Sequence, residues 1–595
     1  MCDSLELKMA TNGFTWIDYT IFVIVIAISC IVGLYHGLFS RQKTIDDYLF
    51  GGKNMKWLAV SVSLTARYLK MEVDNILPSN FSALSSHSVV GLATEVYLHG
   101  SQVILMTISI ALASLANYFL YVPVFSNLNM TSIFEYLEMR FNGFLRKLLM
   151  LITVATYACI LPMCMYTPSL TFSQATGVNL YLIASVMTCV CVFYTSLGGI
   201  KGVTWSDVVQ LSITITLVIA LIVMGIVSTG SVSEVIHRAS DGDRLNIFDF
   251  NPNPTVRVSF WTILLGSTVT SCVTLCTSPH EVQRYFTIPK QLIPRLIASY
   301  STIYTLAKVL CMTLGLVMYA KYFDCDPKSI GAIKKADQIL PYFITDLTAS
   351  IPGFNGLFLA AFFGSSLSIY STLLNTLSGI VYSDIVPWII SEKLLRRAPS
   401  LIMKLFVVFF GLLSIAFICL LENGGTVFEL NYYVRGATGG TMFGVFTLGV
   451  LLPFANSQGA SLGAIASVLL MGVIVVNNSI YVRNGFIHHS PKSLHTYGCN
   501  TTTFSNFTLN VTATPQPSSP EASFWLFRVS FQYFEFMGAM TTIVVGAAVS
   551  WATKTKDNQA IHPKLLTPIV RKYCRPVEEA QDHEIGPINE TVKHG

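Results

Sequence analysis

The stretch NMKWLAVSVSLTARYLKMEVDNILPSNFSALSSHSVVGLATEVYLHGSQ, from Asn54 to Gln102, decides the fold. It begins and ends as a membrane-spanning helix would, but its middle carries hydroxyl and charged residues where a lipid-facing span carries Leu and Ile. A bilayer tolerates an interrupted helix only where the backbone is buried in protein or lines a watery cavity, because unpaired N–H and C=O groups are costly in hydrocarbon. The stretch therefore predicts a broken helix with an ion and substrate site at the break.

The composition of the whole chain is that of a polytopic membrane protein. Hydrophobic residues make up 52% and charged residues 12% of the 595 residues, and the mean hydropathy is +0.59. The net charge of +5 is spread over short loops, which indicates orientation in a lipid bilayer and argues against a nucleic-acid partner. The 13 cysteines form no C-x-x-C pair. Because the chain also lacks a nucleophile motif and a phosphate-binding loop, we do not expect an enzyme.

Apolar runs that are long enough to cross a bilayer predict an all-α protein with about thirteen transmembrane helices. These runs lie at 16–36, 56–100 (interrupted), 101–122, 146–174, 179–197, 204–229, 257–278, 296–321, 342–388, 401–421, 427–453, 458–482 and 530–553. Lys and Arg fall in loops that all face the same side of the membrane if every predicted span is real. The positive-inside rule makes that side cytoplasmic. These basic residues include Arg41, Lys43, Arg140, Arg146, Arg284, Lys290, Arg295, Lys393 and Arg396. The N-terminus is then extracellular and the C-terminus cytoplasmic.

The loop 483–529 supports this orientation, because it carries three glycosylation sequons at Asn500, Asn506 and Asn510. Cys325 and Cys499 also fall in predicted extracellular loops. In that oxidising setting two interpretations are open: the cysteines form a disulfide with each other, or both remain unpaired thiols. The N-terminal residues show no small-residue cleavage pattern, so we expect no removable signal peptide.

Five segments resemble, in order, the signature motifs of the sodium/solute symporter family. They are TIDDYLFGGKNM (44–55), SIFEYLEMRFN (132–142), FYTSLGGIKGVTWSDVVQ (193–210), EVQRYF (281–286) and GSSLSIYSTLLNTLSGIVYSDI (364–385). The string TEVYLHGSQ and the CDP loop are most similar to the branch that holds sodium-coupled monocarboxylate, multivitamin and iodide transporters. The resemblance extends to about residue 555.

The resemblance implies a five-plus-five inverted-repeat core with broken helices. It divides the chain into an extracellular N-terminus 1–15, an extra transmembrane helix 16–36, a first repeat 56–229, a second repeat 257–453, two additional transmembrane helices within 458–555 and a cytoplasmic tail 556–595. The resemblance implies that the protein imports a small organic anion together with sodium across the plasma membrane. Among such anions the resemblance favours a monocarboxylate. The alternatives are transport of a vitamin such as biotin or pantothenate, transport of iodide, and a non-transporting membrane sensor.

The sodium ion needs oxygen ligands in a site that excludes water, and the run 364–385 is dense in Ser and Thr. By resemblance, the family's two hydroxyl ligands fall on Ser368 and Ile369, so the second position is apolar here. Asp207 resembles the family's carboxylate close to this site. The predicted sodium ligands are Ala66, Leu84, Ser365, Ser368 and Asp207. The alternative is that these hydroxyls bond back to helix carbonyls and that Asp207 is a helix N-terminal charge.

The predicted substrate residues depend on setting aside the segment RYLKMEVDNILPSNF (67–81), which restores the family register. His87 can donate a hydrogen bond to a carboxylate, although a buried neutral histidine is an equal alternative. The substrate residues implied in this way are Ser82, Ser85, His87, Ser88, Tyr166 and Gln210.

The segment 67–81 itself carries Arg67, Lys70, Glu72 and Asp74. At bilayer depth such charges cost about 2.5–3.5 kcal/mol each. Two explanations remain open, namely an insertion that disables or changes the site and untranslated sequence read through in the gene model. We favour the second explanation because the surrounding motifs are locally consistent.

Overall fold

The computed structural model describes most of the chain, and almost all of it is helical. The described residues are 14–39, 45–71, 88–128, 130, 132–333, 338–348, 351–388, 399–421, 425–483, 492–499, 524–553 and 561–572. Within these ranges there is no β-strand.

Fourteen helical segments, numbered α1 to α14, form the body of the protein. They are α1 Trp16–Phe39, α2 Trp57–Met71, α3 Ser88–His99, α4 Ser101–Phe125, α5 Gly143–Thr176, α6 Leu180–Thr229, α7 Thr262–Thr277, α8 Pro279–Tyr285, α9 Ile293–Lys321, α10 Phe354–Ile380, α11 Pro399–Leu421, α12 Gly425–Leu451, α13 Ser457–Arg483 and α14 Phe534–Ala552. Shorter helices connect them, including Ile45–Phe50, Ile133–Arg140, Val232–Asp241, Ile339–Thr348, Val381–Ile385, Trp525–Arg528 and Pro568–Arg571.

The lengths and hydropathies of these helices confirm an all-α polytopic membrane protein. Among the described residues, nine helices are long and apolar enough to cross a membrane. The helix α6 has 50 residues, or about 75 Å of helix, which is more than twice the thickness of a bilayer core. It therefore contains two crossings, and Gly199, with φ 51° and ψ −154°, supplies the turn between them.

The helix α10 lies at the centre of the bundle. In its most apolar window 83% of the residues are buried, compared with 33% for α1. It packs against α1, α5, α6 and α11. Asp18 of α1 fixes its start, because the backbone N–H of Gly356 donates to Asp18 Oδ1 over 3.0 Å. This bond satisfies one of the unpaired N–H groups that every helix N-terminus leaves.

Two helices of the bundle are divided into shorter pieces. The helix α2 ends at Met71 and α3 begins at Ser88, with residues 72–87 outside the described ranges. The second break separates α7 from α8 at Ser278, whose backbone is extended with ψ 126°. Pro279 follows at the first position of α8, and its missing N–H cannot continue the hydrogen-bond ladder of α7. The break is thus encoded locally by the Ser-Pro pair.

Candidate functional site

A buried ion pair lies where four helices meet. Arg284 of α8 and Asp207 of α6 are 1% and 0% exposed, and the guanidinium Nη2 lies 3.2 Å from Asp207 Oδ2. A charge at this depth in a bundle is tolerated only when it is paired and hydrogen-bonded. The pair therefore neutralises both groups and ties α8 to α6.

Three hydroxyls surround the guanidinium and join two more helices to the pair. Arg284 Nη1 donates to Ser63 Oγ of α2 over 2.5 Å and to Thr204 Oγ1 of α6 over 2.6 Å. Arg284 Nη2 donates to Thr372 Oγ1 of α10 over 3.1 Å. The hydroxyl of Ser63 donates in turn to the carboxylate of Asp207. A single polar centre thus connects α2, α6, α8 and α10.

This geometry corrects the assignment of Arg284 to a basic cytoplasmic loop. The motif EVQRYF forms most of α8, which is buried. Arg140 was also assigned to a basic loop, but it is 8% exposed. Its guanidinium donates to the carbonyl oxygens of Gly449, Leu452 and Ala455 at the C-terminal end of α12. Basic residues in this sequence therefore lie in internal ion pairs and at helix ends as well as in loops.

Four of the five predicted sodium ligands lie on α2, α6 and α10, which are helices that the Arg284 centre connects. Ser368 of α10 is buried, and its hydroxyl has no hydrogen-bond partner among the described residues. Ala66 of α2 is buried and Ser365 of α10 is half-buried. A carboxylate and a buried hydroxyl without a partner are hard oxygen donors that suit sodium. Leu84 lies outside the described residues.

Other contacts of α10 bear on the same site. The link between α10 and the Asp207 pair runs through Thr372, one turn after Ser368. Ile369 is buried in the apolar core, at the position where the family pattern has a hydroxyl. The hydroxyl of Ser371 donates to the backbone carbonyl of Ser368 over 3.1 Å, so it already has a partner.

Three of the six predicted substrate residues fall within the described part of the chain. Ser82, Ser85 and His87 lie outside it, and Ser88 begins α3. Tyr166 is half-buried on α5. Gln210 is buried, and its Nε2 donates to Ser29 of α1 over 3.1 Å and to Ser206 over 3.2 Å. It also lies against Gly364 of α10, where an added Cβ would come 3.1 Å from Gln210 Cγ.

A cavity of about 60 Å³, which none of the sequence-based predictions includes, lies at the break between α7 and α8. Its wall includes Tyr157 of α5, Ser278 and His280 at the break, Gly439 of α12 and Glu535 of α14. The Tyr157 hydroxyl and His280 Nδ1 are 2.7 Å apart. The available signal was the string SPHE directly after an apolar run, because ionisable residues inside a span indicate function by default.

Contacts with distant parts of the chain hold α3 in place. Glu95 of α3 is fully buried and forms a forked ion pair with Arg257, with Nε to Oε1 at 3.1 Å and Nη2 to Oε2 at 2.9 Å. The backbone N–H of Lys492 donates to the carbonyl of Leu98 over 2.9 Å. The chain after Lys492 leads to Cys499, which forms a disulfide with Cys325.

The three predicted glycosylation sites, Asn500, Asn506 and Asn510, lie outside the described residues.

Comparison with known proteins identifies a family whose sequence model matches this chain. A model of the sodium:solute symporter family matches residues 48–467. The chain is 32% identical over 554 residues to sodium-coupled monocarboxylate transporter 1 of Xenopus laevis, and the match covers 91% of this chain and 86% of that protein. It is 27% identical to the sodium/iodide cotransporter of Homo sapiens, with 92% and 85% covered.

Among solved structures, the chain resembles a Na⁺-coupled sialic acid symporter in a substrate-bound outward-open state. The TM-score is 0.71 at 22% sequence identity, and the match covers 91% of this chain and 99% of that one. This similarity supports the fold, with its five-plus-five inverted-repeat core.

Proposed function

Because the chain belongs to the sodium:solute symporter family, in which sodium is the coupling ion, we propose that it imports a small monocarboxylate together with sodium. Substrates of this class are lactate, pyruvate and short-chain fatty acids. The observation that carries the proposal is the cavity at the α7/α8 break, with Tyr157 and His280 on its wall. Relatives named as sodium-coupled monocarboxylate transporters match over most of their length, which supports the same class.

The sodium site of the proposal lies between α2, α6 and α10. The backbone carbonyls of Ala66 and Ser365, the hydroxyl of Ser368 and the carboxylate of Asp207 supply its oxygen ligands. Sodium bound there joins the helices that the Arg284 centre already connects. Transport follows when the sodium-loaded site has different affinities in the outward and inward states, since a ligand shifts an equilibrium only by its differential affinity.

The proposal places the protein in the plasma membrane with its disulfide outside the cell. A stable disulfide between Cys325 and Cys499 requires an oxidising compartment. The segment 492–499 then faces the extracellular side, with the N-terminus on the same side and the C-terminus in the cytoplasm.

Iodide is the second candidate substrate. The match to the human sodium/iodide cotransporter covers 92% of this chain, and a monatomic anion fits a small cavity. The two candidates differ in shape, because a carboxylate presents two oxygens to directional donors and iodide presents a sphere.

Uptake of radiolabelled lactate by cells that express the protein, with and without sodium, tests the proposal. We expect uptake that requires sodium, that saturates, and that unlabelled pyruvate inhibits while iodide and biotin do not. Inhibition by iodide together with sodium-dependent iodide uptake would favour the second candidate. Surface-expressed protein that takes up neither anion would overturn the proposal and favour a non-transporting sensor.

A further inference from the structure

Different parts of the bundle hold the two halves of the helix that is broken at Ser278. The half before the break, α7, is bonded near its start to α4, because the hydroxyl of Ser109 donates to the carbonyl oxygen of Ile263 over 3.1 Å. The hydroxyl of Ser267, further along α7, donates to Oε1 of Gln532 over 3.0 Å, and Gln532 directly precedes α14. The half α7 is therefore attached to α4 and to the start of α14.

The half after the break, α8, is attached to the helices that carry the proposed sodium ligands. Arg284 bonds to α2, α6 and α10 in the polar centre described above. The hydroxyl of Thr376 of α10 donates to Oε1 of Gln283 over 3.0 Å, and Nε2 of Gln283 donates to the carbonyl oxygen of Leu49 over 2.9 Å. Because α7 and α8 have separate attachments, the angle at the break sets the position of the sodium-binding helices relative to α4.

Tyr285, the last residue of α8, reaches back across the break. Its hydroxyl donates to the carbonyl oxygen of Leu275 in α7 over 3.0 Å and accepts a hydrogen bond from Nδ2 of Asn117 in α4 over 2.9 Å. Tyr285 is 4% exposed and Asn117 is 1% exposed. We call the Asn117 amide, the Tyr285 hydroxyl and the Leu275 carbonyl the Tyr285 bridge. This bridge connects α8 to both α7 and α4 through one phenol.

The carbonyl of Leu275 belongs to the last four residues of α7. Carbonyls at the C-terminal end of a helix have no partner within the helix, and Pro279 beyond the break has no N–H to donate. A neighbouring carbonyl, that of Val273, accepts hydrogen bonds from the hydroxyls of Thr277 and Ser278 over 2.9 and 3.2 Å. Of these three hydroxyl donors, that of Tyr285 comes from the far end of α8 and therefore constrains the angle between the two halves.

Both partners of Tyr285 in the bridge lie in π-helical turns. Asn117 begins the turn Asn117–Tyr121 of α4, and Leu275 lies in the turn Val273–Thr277 of α7. Such turns are rare and occur frequently at functional sites. Their presence on both sides of Tyr285 supports a functional role for the bridge.

We infer that Tyr285 is a positioning residue for sodium coupling, and that its bridge holds α4, α7 and α8 in the arrangement that binds sodium. This inference rests on the proposed sodium site between α2, α6 and α10. When the binding-competent arrangement is only fractionally populated, the apparent affinity for the ligand is reduced by that fraction. Loss of the bridge lowers the fraction, so a higher sodium concentration is needed to fill the site.

The test measures sodium binding without relying on a transported substrate. Sodium that binds the folded state raises the melting temperature of the purified full-length protein in detergent, and choline chloride keeps the ionic strength constant. Tyr285→Phe removes the hydroxyl and keeps the ring. It should raise the sodium concentration for half-maximal stabilisation about two- to tenfold, the equivalent of one hydrogen bond. Asn117→Leu should raise it by a smaller factor, because the Tyr285 hydroxyl still reaches Leu275.

Tyr136→Phe is the matched control. Tyr136 is fully buried on the connecting helix Ile133–Arg140, and its hydroxyl also donates to a backbone carbonyl, that of Leu565, over 3.1 Å. This variant should lower the melting temperature and keep the wild-type sodium concentration for half-maximal stabilisation. The double variant Asn117→Leu/Tyr285→Phe should need no more sodium than Tyr285→Phe, because both substitutions act on one bridge.

The outcomes separate this inference from the proposed function. A wild-type sodium requirement in both Tyr285→Phe and Asn117→Leu would overturn the role of the bridge, and so would an equal increase for Tyr136→Phe. The proposed sodium site would stand in both cases. If Tyr285→Phe did not fold, Asn117→Leu alone would decide. A wild-type protein that sodium does not stabilise would instead overturn the proposed sodium site, and the role of the bridge with it.

Discussion

The guanidinium of Arg284 lies 3.2 Å from the carboxylate of Asp207, and the two side chains are 1% and 0% exposed. Removing one member of a buried pair leaves the other charge without compensation, which costs about 3–5 kcal/mol. Any role of Asp207 in sodium binding is therefore coupled to the stability of the bundle. This coupling determines how substitutions at Asp207 are to be interpreted.

We expect Asp207→Asn to destabilise the protein by about 3–5 kcal/mol and to raise the half-saturating sodium concentration for uptake. Melting temperature in detergent and sodium activation curves measure the two effects. The double variant Asp207→Asn/Arg284→Gln should be more stable than the sum of the single effects predicts, because neither charge remains. Breaking the partly exposed pair Arg238–Glu234 with Glu234→Gln should cost only about 0–1 kcal/mol. An unchanged sodium activation curve for Asp207→Asn would remove Asp207 from the sodium site.

Ser368→Ala should raise the half-saturating sodium concentration about tenfold, because it removes a buried hydroxyl ligand of the cation. Uptake of labelled lactate at varied sodium concentration measures the effect. Ser378 is the matched control, since it is buried on the same helix and its hydroxyl donates to the carbonyl of Asn375 over 2.8 Å. If Ser368→Ala and Ser378→Ala had equal effects, Ser368 would be a packing residue.

Ile369→Thr should lower the half-saturating sodium concentration, because it restores an oxygen at the second ligand position of the family pattern. A contact of this kind is worth about 1.5–3 kcal/mol, or roughly ten- to a hundred-fold in apparent affinity. The measurement is best made in a chain that lacks residues 67–81, where the restored register aligns the first broken helix. An unchanged or higher sodium requirement would show that residue 369 serves the apolar core in which it is buried.

Arg257→Lys should destabilise the packing of α3. Arg257 holds the buried Glu95 carboxylate through two nitrogens, and a lysine cannot reproduce that fork. We expect a loss of about 1.5–3 kcal/mol, the value of a hydrogen bond to a charged group, and a larger loss for Arg257→Ala. Thermal unfolding of the purified variants measures both. Equal stability of wild type and Arg257→Ala would mean that the pair does not anchor α3.

Replacing both Cys325 and Cys499 by Ser should lower stability by about 2–4 kcal/mol, the typical contribution of a disulfide. The bond closes a separation of 174 residues and holds the segment whose Lys492 N–H pairs with Leu98 of α3. A reductant should destabilise the wild type to the same extent and leave the double variant unaffected. Cys189→Ser, at an exposed free thiol, is the control and should retain the wild-type response to reductant.

The sequence by itself determined the class of the fold, the interrupted first helix and the family. Unpaired backbone groups and charges are costly in hydrocarbon. Long apolar runs therefore predict membrane spans, and the polar interruption within Asn54–Gln102 predicts a break, before any side-chain contact is known. The importance of Asp207 and of the hydroxyl-rich run 364–385 was also visible, because polar residues inside a span stand out against their neighbours.

Only the tertiary structure decided which of these polar groups meet. Arg284 follows Asp207 by 77 residues, and a run such as EVQRYFTIPK contains the same charges whether it forms a loop or a buried turn of helix. Glu535 and His280 approach one cavity from helices that are distant in the chain. Side-chain partners are set by the packing of whole helices, whereas the pattern of a sequence reports only the local environment of each residue. The ion pair and the cavity at the α7/α8 break therefore emerged only from the assembled bundle.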